Sequence, residues 1–233
     1  MARFGRRSVT GKVRIAVDAL LAIDLLFVMA TALVEEAPHE YLGIAFAILA
    51  ILHVVINRRW FASLLRGRWT VVRVLQLVAV VGLVACVIGQ VASAIVLSKH
   101  ALWFLPAISG ASWARSMHML CSYWAFTFAF AHVGLQFKGF IARVSALRGA
   151  GSFAPWALRA VWVAVAAFGM WSFVQLGLAD YLFMRVKFAA ADHDAAIMFR
   201  FAQYASVATL VAGVFHYLRV LLDRAIRSNA RSR

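Results

Sequence analysis

Six stretches of apolar residues, 12–34, 41–61, 71–97, 114–137, 156–180 and 201–222, follow one another with only short polar breaks. Each has about the 20 residues that a helix needs to cross roughly 30 Å of hydrocarbon. Lipid offers no water to backbone N–H and C=O groups, so a spanning segment is either a helix or a strand of a closed barrel. None of the runs alternates with period two, which selects helices. The expected fold class is therefore an all-α integral membrane helical bundle of about six transmembrane helices, with residues 1–233 forming one domain. Composition agrees: 64% of residues are hydrophobic, mean hydropathy is +0.85, and only three prolines interrupt the chain.

The formal net charge is +15. In a water-soluble chain that would suggest nucleic acid, but here the Lys and Arg residues fall between the apolar stretches and at the termini, while most aromatics lie inside them. That distribution argues against nucleic acid as a partner and follows the positive-inside rule. The N-terminus carries Arg3, Arg6, Arg7, Lys12 and Arg14; the first connection carries Glu35, Glu36 and Glu40; the second carries Arg58, Arg59, Arg66, Arg68 and Arg73. Lys138, Arg143 and Arg148 mark a later basic connection, and Arg219, Arg224, Arg227, Arg231 and Arg233 the C-terminal end. An even number of spans with both termini cytoplasmic satisfies this alternation. Ala30-Thr31-Ala32 resembles a signal-peptide cleavage site, but the preceding apolar run is longer than a signal core, so a retained first helix is expected. Cys86 and Cys121 both fall inside apolar runs and read as packed small residues. No Cys-x-x-Cys-His occurs, which excludes covalent c-type haem attachment.

The informative residues are histidines. Of seven, His39 and His53 lie 14 residues apart on the second helix, and His118 and His132 lie 14 apart on the fourth. Fourteen residues make just under four helical turns, so each pair shares a face and is separated by about 21 Å along the axis. The two helices are separated by one other span and run in the same direction. His39 should then meet His118 in depth near the outer surface, and His53 should meet His132 nearer the cytoplasm. Two imidazoles on facing helices at one depth form a bis-histidine axial site, so the pattern points to two noncovalent haem b groups stacked through the membrane. One intramembrane histidine is as readily an interhelical hydrogen bond as a ligand; four at a repeated spacing and matched depth favour ligation.

Neighbouring residues fit such a site. Gly43 lies four residues after His39 and Ser122 four after His118, small side chains that let a macrocycle lie against the backbone, although small residues also serve ordinary helix packing. Arg115, three residues before His118, suits a haem propionate or an interfacial snorkelling position. Arg58 and Arg59 near His53 read first as topological charge. His216, on the sixth helix at a depth comparable with His132, is the substitute ligand or a quinone-site residue. His100 reads as a solvated outer residue. His193 between Asp192 and Asp194 reads as surface loop, with metal binding as the alternative. Asp18 and Asp24 fall in the first helix, and Asp24 is deep enough to face the bundle interior, as a proton relay or a hydrogen-bond acceptor.

Two ordered segments carry a family resemblance: His39-Glu40-Tyr41-Leu42-Gly43 running to Leu52-His53-Val54-Val55-Ile56-Asn57-Arg58-Arg59-Trp60, and Arg115-Ser116-Met117-His118-Met119-Leu120 running through Tyr123-Trp124 to Ala131-His132-Val133-Gly134-Leu135. Over about residues 39–138 the chain resembles the flavinylation-associated cytochromes, a bacterial family long known only as a domain of unknown function. In histidine spacing alone it also resembles the two-haem cytochrome b of respiratory bc complexes. The resemblance implies a bacterial inner-membrane cytochrome b that exchanges electrons with extracytoplasmic flavoproteins, often bearing covalent FMN. The chain departs from the family pattern at Gln136, where the segment often continues to a further histidine. Two other function classes stay open: a quinone-reactive or metal-reducing membrane oxidoreductase, and a haem-free transporter or assembly factor in which the histidines and Asp24 line a path.

Overall fold

The computed structural model describes residues 2–31, 36–64, 66, 69–106, 109–145, 155–186 and 196–231. Among them every regular element is a helix, without strands: α1 (Ala2–Thr31), α2 (Glu36–Leu64), α3 (Val71–Leu97), α4 (Ala111–Ser145), α5 (Pro155–Gln175), the short α6 (Leu178–Leu182) and α7 (Ile197–Arg231). Three helices, α2, α3 and the Ile197–Ile226 part of α7, are long and apolar enough to cross a membrane. Helix α2 displays the reason on its surface. Ile44, Ile48, Ile51, Leu52, Val54 and Val55 are all exposed, Ile51 at 66%. A continuous aliphatic face of this size is unfavourable against water and at home against lipid tails. The chain is a membrane protein.

The six apolar stretches follow the helices in order, one of them divided between two helices, with informative differences at the ends. Stretch 71–97 is α3 end to end, capped by Thr70, whose hydroxyl accepts from the Arg73 N–H at 3.3 Å. Helices α1, α4 and α7 continue beyond their apolar stretches into basic sequence, because arginine is a good helix former and the hydrogen-bond ladder does not stop where the lipid does. Ala30 and Thr31 are helical and buried against the core. Stretch 156–180 is instead broken. Helix α5 opens with Pro155, at home in a first turn, and ends at Gln175; Gly177 then takes φ +59°, a left-handed conformation open to glycine, and α6 follows as a separate turn.

Packing centres on α4 and α7. Helix α3 lies along α4 as a close antiparallel hairpin, α7 packs against both α4 and α5, and α1 joins them through α7 and α4. Leu25, Leu26, Met29 and Ala30 of α1 meet Tyr123, Phe126 and Phe130 of α4 and Tyr204, Val207 and Ala208 of α7 in one buried cluster. Close approach depends on glycine: a Cβ at Gly134 would fall 2.9 Å from the Ala212 carbonyl carbon of α7, and one at Gly169 would fall 2.5 Å from the Ser206 oxygen. Helix α2 is outside this core. It packs on α1 and meets α3 only slightly. Its N-terminal end is pinned by Glu40, whose carboxylate accepts from the backbone N–H groups of Lys99, His100 and Ala101 at 2.7 to 3.0 Å and from the Ser98 hydroxyl at 2.7 Å. Lys99 reaches Glu36 at 2.9 Å.

Candidate functional site

Peripheral α2 and central α4 leave a space between them, and the histidines stand in it. Among the described residues no Cα of α2 comes within 8 Å of any Cα of α4. Directly packed helices have axes 8–10 Å apart, so this pair is held wider and bridged by side chains.

At one end His39 meets His118, with ring centres 5.9 Å apart and planes inclined at 68°. The Nδ1 of His39 donates to the Val28 carbonyl of α1 at 3.1 Å. That carbonyl belongs to the last described turn of α1, where carbonyls are open to side-chain donors, and the Thr31 hydroxyl also approaches it at 3.4 Å. The Nδ1 of His118 lies 3.1 Å from the Ser93 hydroxyl, which itself donates to the carbonyls of Gly89 at 2.7 Å and Gln90 at 3.0 Å. The Ser93 oxygen is therefore the acceptor and His118 Nδ1 the donor. With both Nδ1 atoms protonated, the lone pair on each ring is at Nε2. This is the arrangement of metal-ligating histidines, whose other nitrogen is fixed by a carbonyl or hydroxyl. Two imidazoles on opposite sides of one metal, with bonds of about 2 Å, have ring centres about 6 Å apart. The outer pair has that spacing. Beside it, a Cβ on Gly43 would meet nothing within 4 Å, so the space expected next to His39 is present. Ser122 is small as expected, yet its hydroxyl is engaged, donating to the His118 carbonyl at 2.7 Å and accepting from Gln90 Nε2 at 2.6 Å. It ties α4 to α3.

The second pair is arranged differently. His53 Nδ1 lies 2.8 Å from Asp18 Oδ1 of α1, and Asn57 donates to the His53 carbonyl at 3.0 Å. His132 stands within electrostatic reach of both His53 and Asp18. The α2 ring it touches is that of Trp60, seven residues beyond His53, edge-on at 5.4 Å. His132 Nδ1 is buried without a hydrogen-bond partner among the described residues, and so is Gln136 Nε2 one turn on. Buried imidazole nitrogens are rarely left so, and a partner from outside the described residues would satisfy this one. No three His, Cys, Asp or Glu side chains converge on one point among the described residues. A tetrahedral metal site would need such a set, whereas a haem iron takes two. The donor set thus fits haem: the outer pair in spacing and hydrogen bonding, the inner pair in donors, with Trp60 at its wall.

Other residues singled out in the sequence fall outside this space. Arg115, Arg58 and Arg59 are exposed. His216 packs edge-on against Phe137 of α4 at 5.1 Å. His100 is half-exposed, 3.8 Å from Glu36. His193, Asp192 and Asp194 lie outside the described residues. Cys86 and Cys121 are free thiols, Cys121 buried. Asp24 is buried at 8% exposure, with Oδ2 lacking a partner among the described residues, so its inward placement matches expectation.

Three features were missed in the sequence. Ser93 was unremarkable there, and Asp18 had no assigned partner, although antiparallel pairing of neighbouring helices places Asp18 level with His53 as it places Val28 level with His39. The third is a cleft of about 280 Å³ beside Trp60, lined by Ser63, Thr70, Arg73, Gln76 and Arg219. Arg73 donates to the carbonyls of Leu64, at 2.9 Å, and Ser63; Arg219 donates to that of Leu135 and lies 3.8 Å from Asp223. Comparison of the chain with family models, curated proteins and solved structures returns no match, so the site is read from its own geometry.

Proposed function

We propose that the chain is a two-haem b-type cytochrome of a bacterial inner membrane, spanning it six times with both termini cytoplasmic. One observation carries this reading: His39 and His118 face each other at ligand spacing, each with Nδ1 tied, across a space that the backbones of α2 and α4 do not close. The 14-residue repeat to His53 and His132 argues for a second site of the same kind. Haem, when bound, supplies one-electron redox chemistry. The chain's own residues do the rest. His39 and His118 would hold the outer group and His53 and His132 the inner one; Val28 and Ser93 orient the outer rings; the lipid-facing helices exclude water. Two histidines to each group would leave it no position for a substrate, which would suit electron transfer across the bilayer rather than substrate oxidation. The family resemblance makes an extracytoplasmic FMN-bearing flavoprotein the partner at the outer pair.

The experiment is a visible spectrum with a pyridine haemochrome assay on detergent-purified protein. A reduced b-type α-band and two acid-extractable haems per chain are expected. A colourless protein from haem-replete cells overturns the reading and leaves a haem-free transporter or assembly factor. Quinone reactivity, the other redox reading of the sequence, is tested by haem reduction on adding a quinol without any flavoprotein.

A further inference from the structure

We infer that Asp18 makes the inner histidine pair the lower-potential of the two proposed haem sites, so that electrons pass from the cytoplasmic side toward the outer surface. The inference rests on the two-haem reading and adds a direction of flow and a role for Asp18.

The imidazoles of the two pairs lean on different acceptors. At the outer pair both acceptors are neutral, the Val28 carbonyl and the Ser93 hydroxyl, each at 3.1 Å. At the inner pair His53 donates to a carboxylate oxygen at 2.8 Å. A hydrogen bond to an ionised acceptor is shorter and about twice as strong as one to a neutral acceptor. It draws the Nδ1 proton away and loads electron density onto Nε2, so the ligand becomes more basic. A more basic ligand stabilises ferric over ferrous iron, and the carboxylate's negative charge, held next to the ligand ring, acts in the same sense. His132 offsets none of this: among the described residues its Nδ1 has no acceptor, so it would be an ordinary neutral ligand.

Among the described residues Arg14 is a cation that acts in opposition. Arg14 sits one turn before Asp18 on α1, but its guanidinium is bound to the Ile56 carbonyl at 3.1 Å. A charge one turn away counts for less than one bonded to the ligand itself. Asn57 is neutral; its amide donates to the His53 carbonyl at 3.0 Å and lies 3.4 Å from His53 Nδ1, farther than the Asp18 oxygen at 2.8 Å. The electron step would balance within the chain: the group held by His53 and His132 would give up one electron, and the group held by His39 and His118 would accept it. With the inner site lower in potential, that step runs downhill and outward.

The test is an equilibrium redox titration followed in the α-band on wild type, Asp18→Asn, Asp18→Glu, His39→Ala and His53→Ala, with haem content measured on each. In wild type at equal total haem the outer site should be reduced about tenfold or more in preference to the inner. His39→Ala, which keeps the inner pair, should retain the low-potential component; His53→Ala should retain the high one. Asp18→Asn keeps shape and removes the charge, and should raise the low component by about tenfold or more in its ferrous-to-ferric ratio at fixed ambient potential. Asp18→Glu should restore most of it. A merely structural Asp18 would change haem content and leave the potential alone. Two haems with titrations unchanged by Asp18→Asn, or with only the high component moved, overturn the inference and leave the two-haem reading intact. If Asp18→Asn loses its inner haem, the single-site variants decide: an inner-only potential equal to or above the outer-only one overturns the proposal. A wild type without haem overturns the two-haem reading, and the inference with it.

Discussion

Replacing Gly134 by alanine tests whether the bundle is held at the spacing its site needs. The added Cβ would lie 2.9 Å from the carbonyl carbon and 3.0 Å from the Cα of Ala212, and nearer still to its oxygen. The obstacle is backbone rather than the end of a flexible side chain, so relief requires α4 and α7 to separate, by about 1 Å to reach ordinary contact distances. A gap of 0.5–1 Å forfeits roughly a quarter to a half of each dispersion contact. Phe126, Phe130, Tyr204, Val207 and Ala208 all lie in the cluster shared by these helices. Helix association in lipid depends on such packing, with no hydrophobic drive between apolar helices to replace it. Overpacking of this kind costs about 1–3 kcal/mol, and about 2–3 is expected here because several buried aromatics share the loss. In the apoprotein Gly43→Ala is the control, since its Cβ there meets nothing within 4 Å. In a helix that exchange gains up to about 1 kcal/mol of intrinsic propensity. The same substitution should therefore have opposite signs at the two positions. Reversible unfolding in mixed micelles, followed by circular dichroism, measures the difference. A Gly134→Ala protein as stable as Gly43→Ala would refute the claim that close α4–α7 contact is structurally required.

Ser93→Ala should leave the His118 N–H buried without an acceptor, costing about 1–3 kcal/mol and weakening the outer haem 10- to 100-fold; haemin titration of the apoprotein measures it, and unchanged affinity would disprove the orienting role. Replacing His39 or His118 should each remove the outer haem alone, and His53 or His132 the inner one; low-temperature α-bands distinguish them, and a His53 variant that matches the His118 variant would break the parallel pairing. In oriented proteoliposomes a soluble FMN-bearing acceptor should reoxidise the haems from the outer face only. Oxidation solely from the face with both termini would refute the outer docking side, and equal oxidation from both would reduce it to nonspecific flavin access.

Much of the fold was legible because lipid simplifies the code. A run such as 71–97 must be a helix, and its ends follow from where Thr70 caps it and Ser98 leaves it. What hydropathy misses is backbone conformation within a run: nothing in the apolar character of 156–180 marks the turn at Gly177, although the glycine itself was a signal. Hydropathy also ranks no neighbours. That α2 sits outside the core while α7 sits inside it follows from glycines such as Gly134 and Gly169, whose value depends on which backbone faces them.

The site shows the same division. Helical period put His39 and His118 at one depth, and their rings meet. Period alone says nothing about what holds Nδ1, because those acceptors lie on α1 and α3, the helices adjacent in sequence to the ligand-bearing ones. Antiparallel pairing across each short connection supplies the missing rule. It sets Val28 beside His39, Asp18 beside His53 and Arg14 beside Ile56 on α1 and α2, and Ser93 beside His118 and Gln90 beside Ser122 on α3 and α4. Ligands on every second helix leave the intervening helices to orient them, and the chemical difference between the pairs then resides in α1 and α3. A carboxylate at Asp18 and a hydroxyl at Ser93 are the two places where this chain distinguishes sites that its histidine spacing alone would make equivalent.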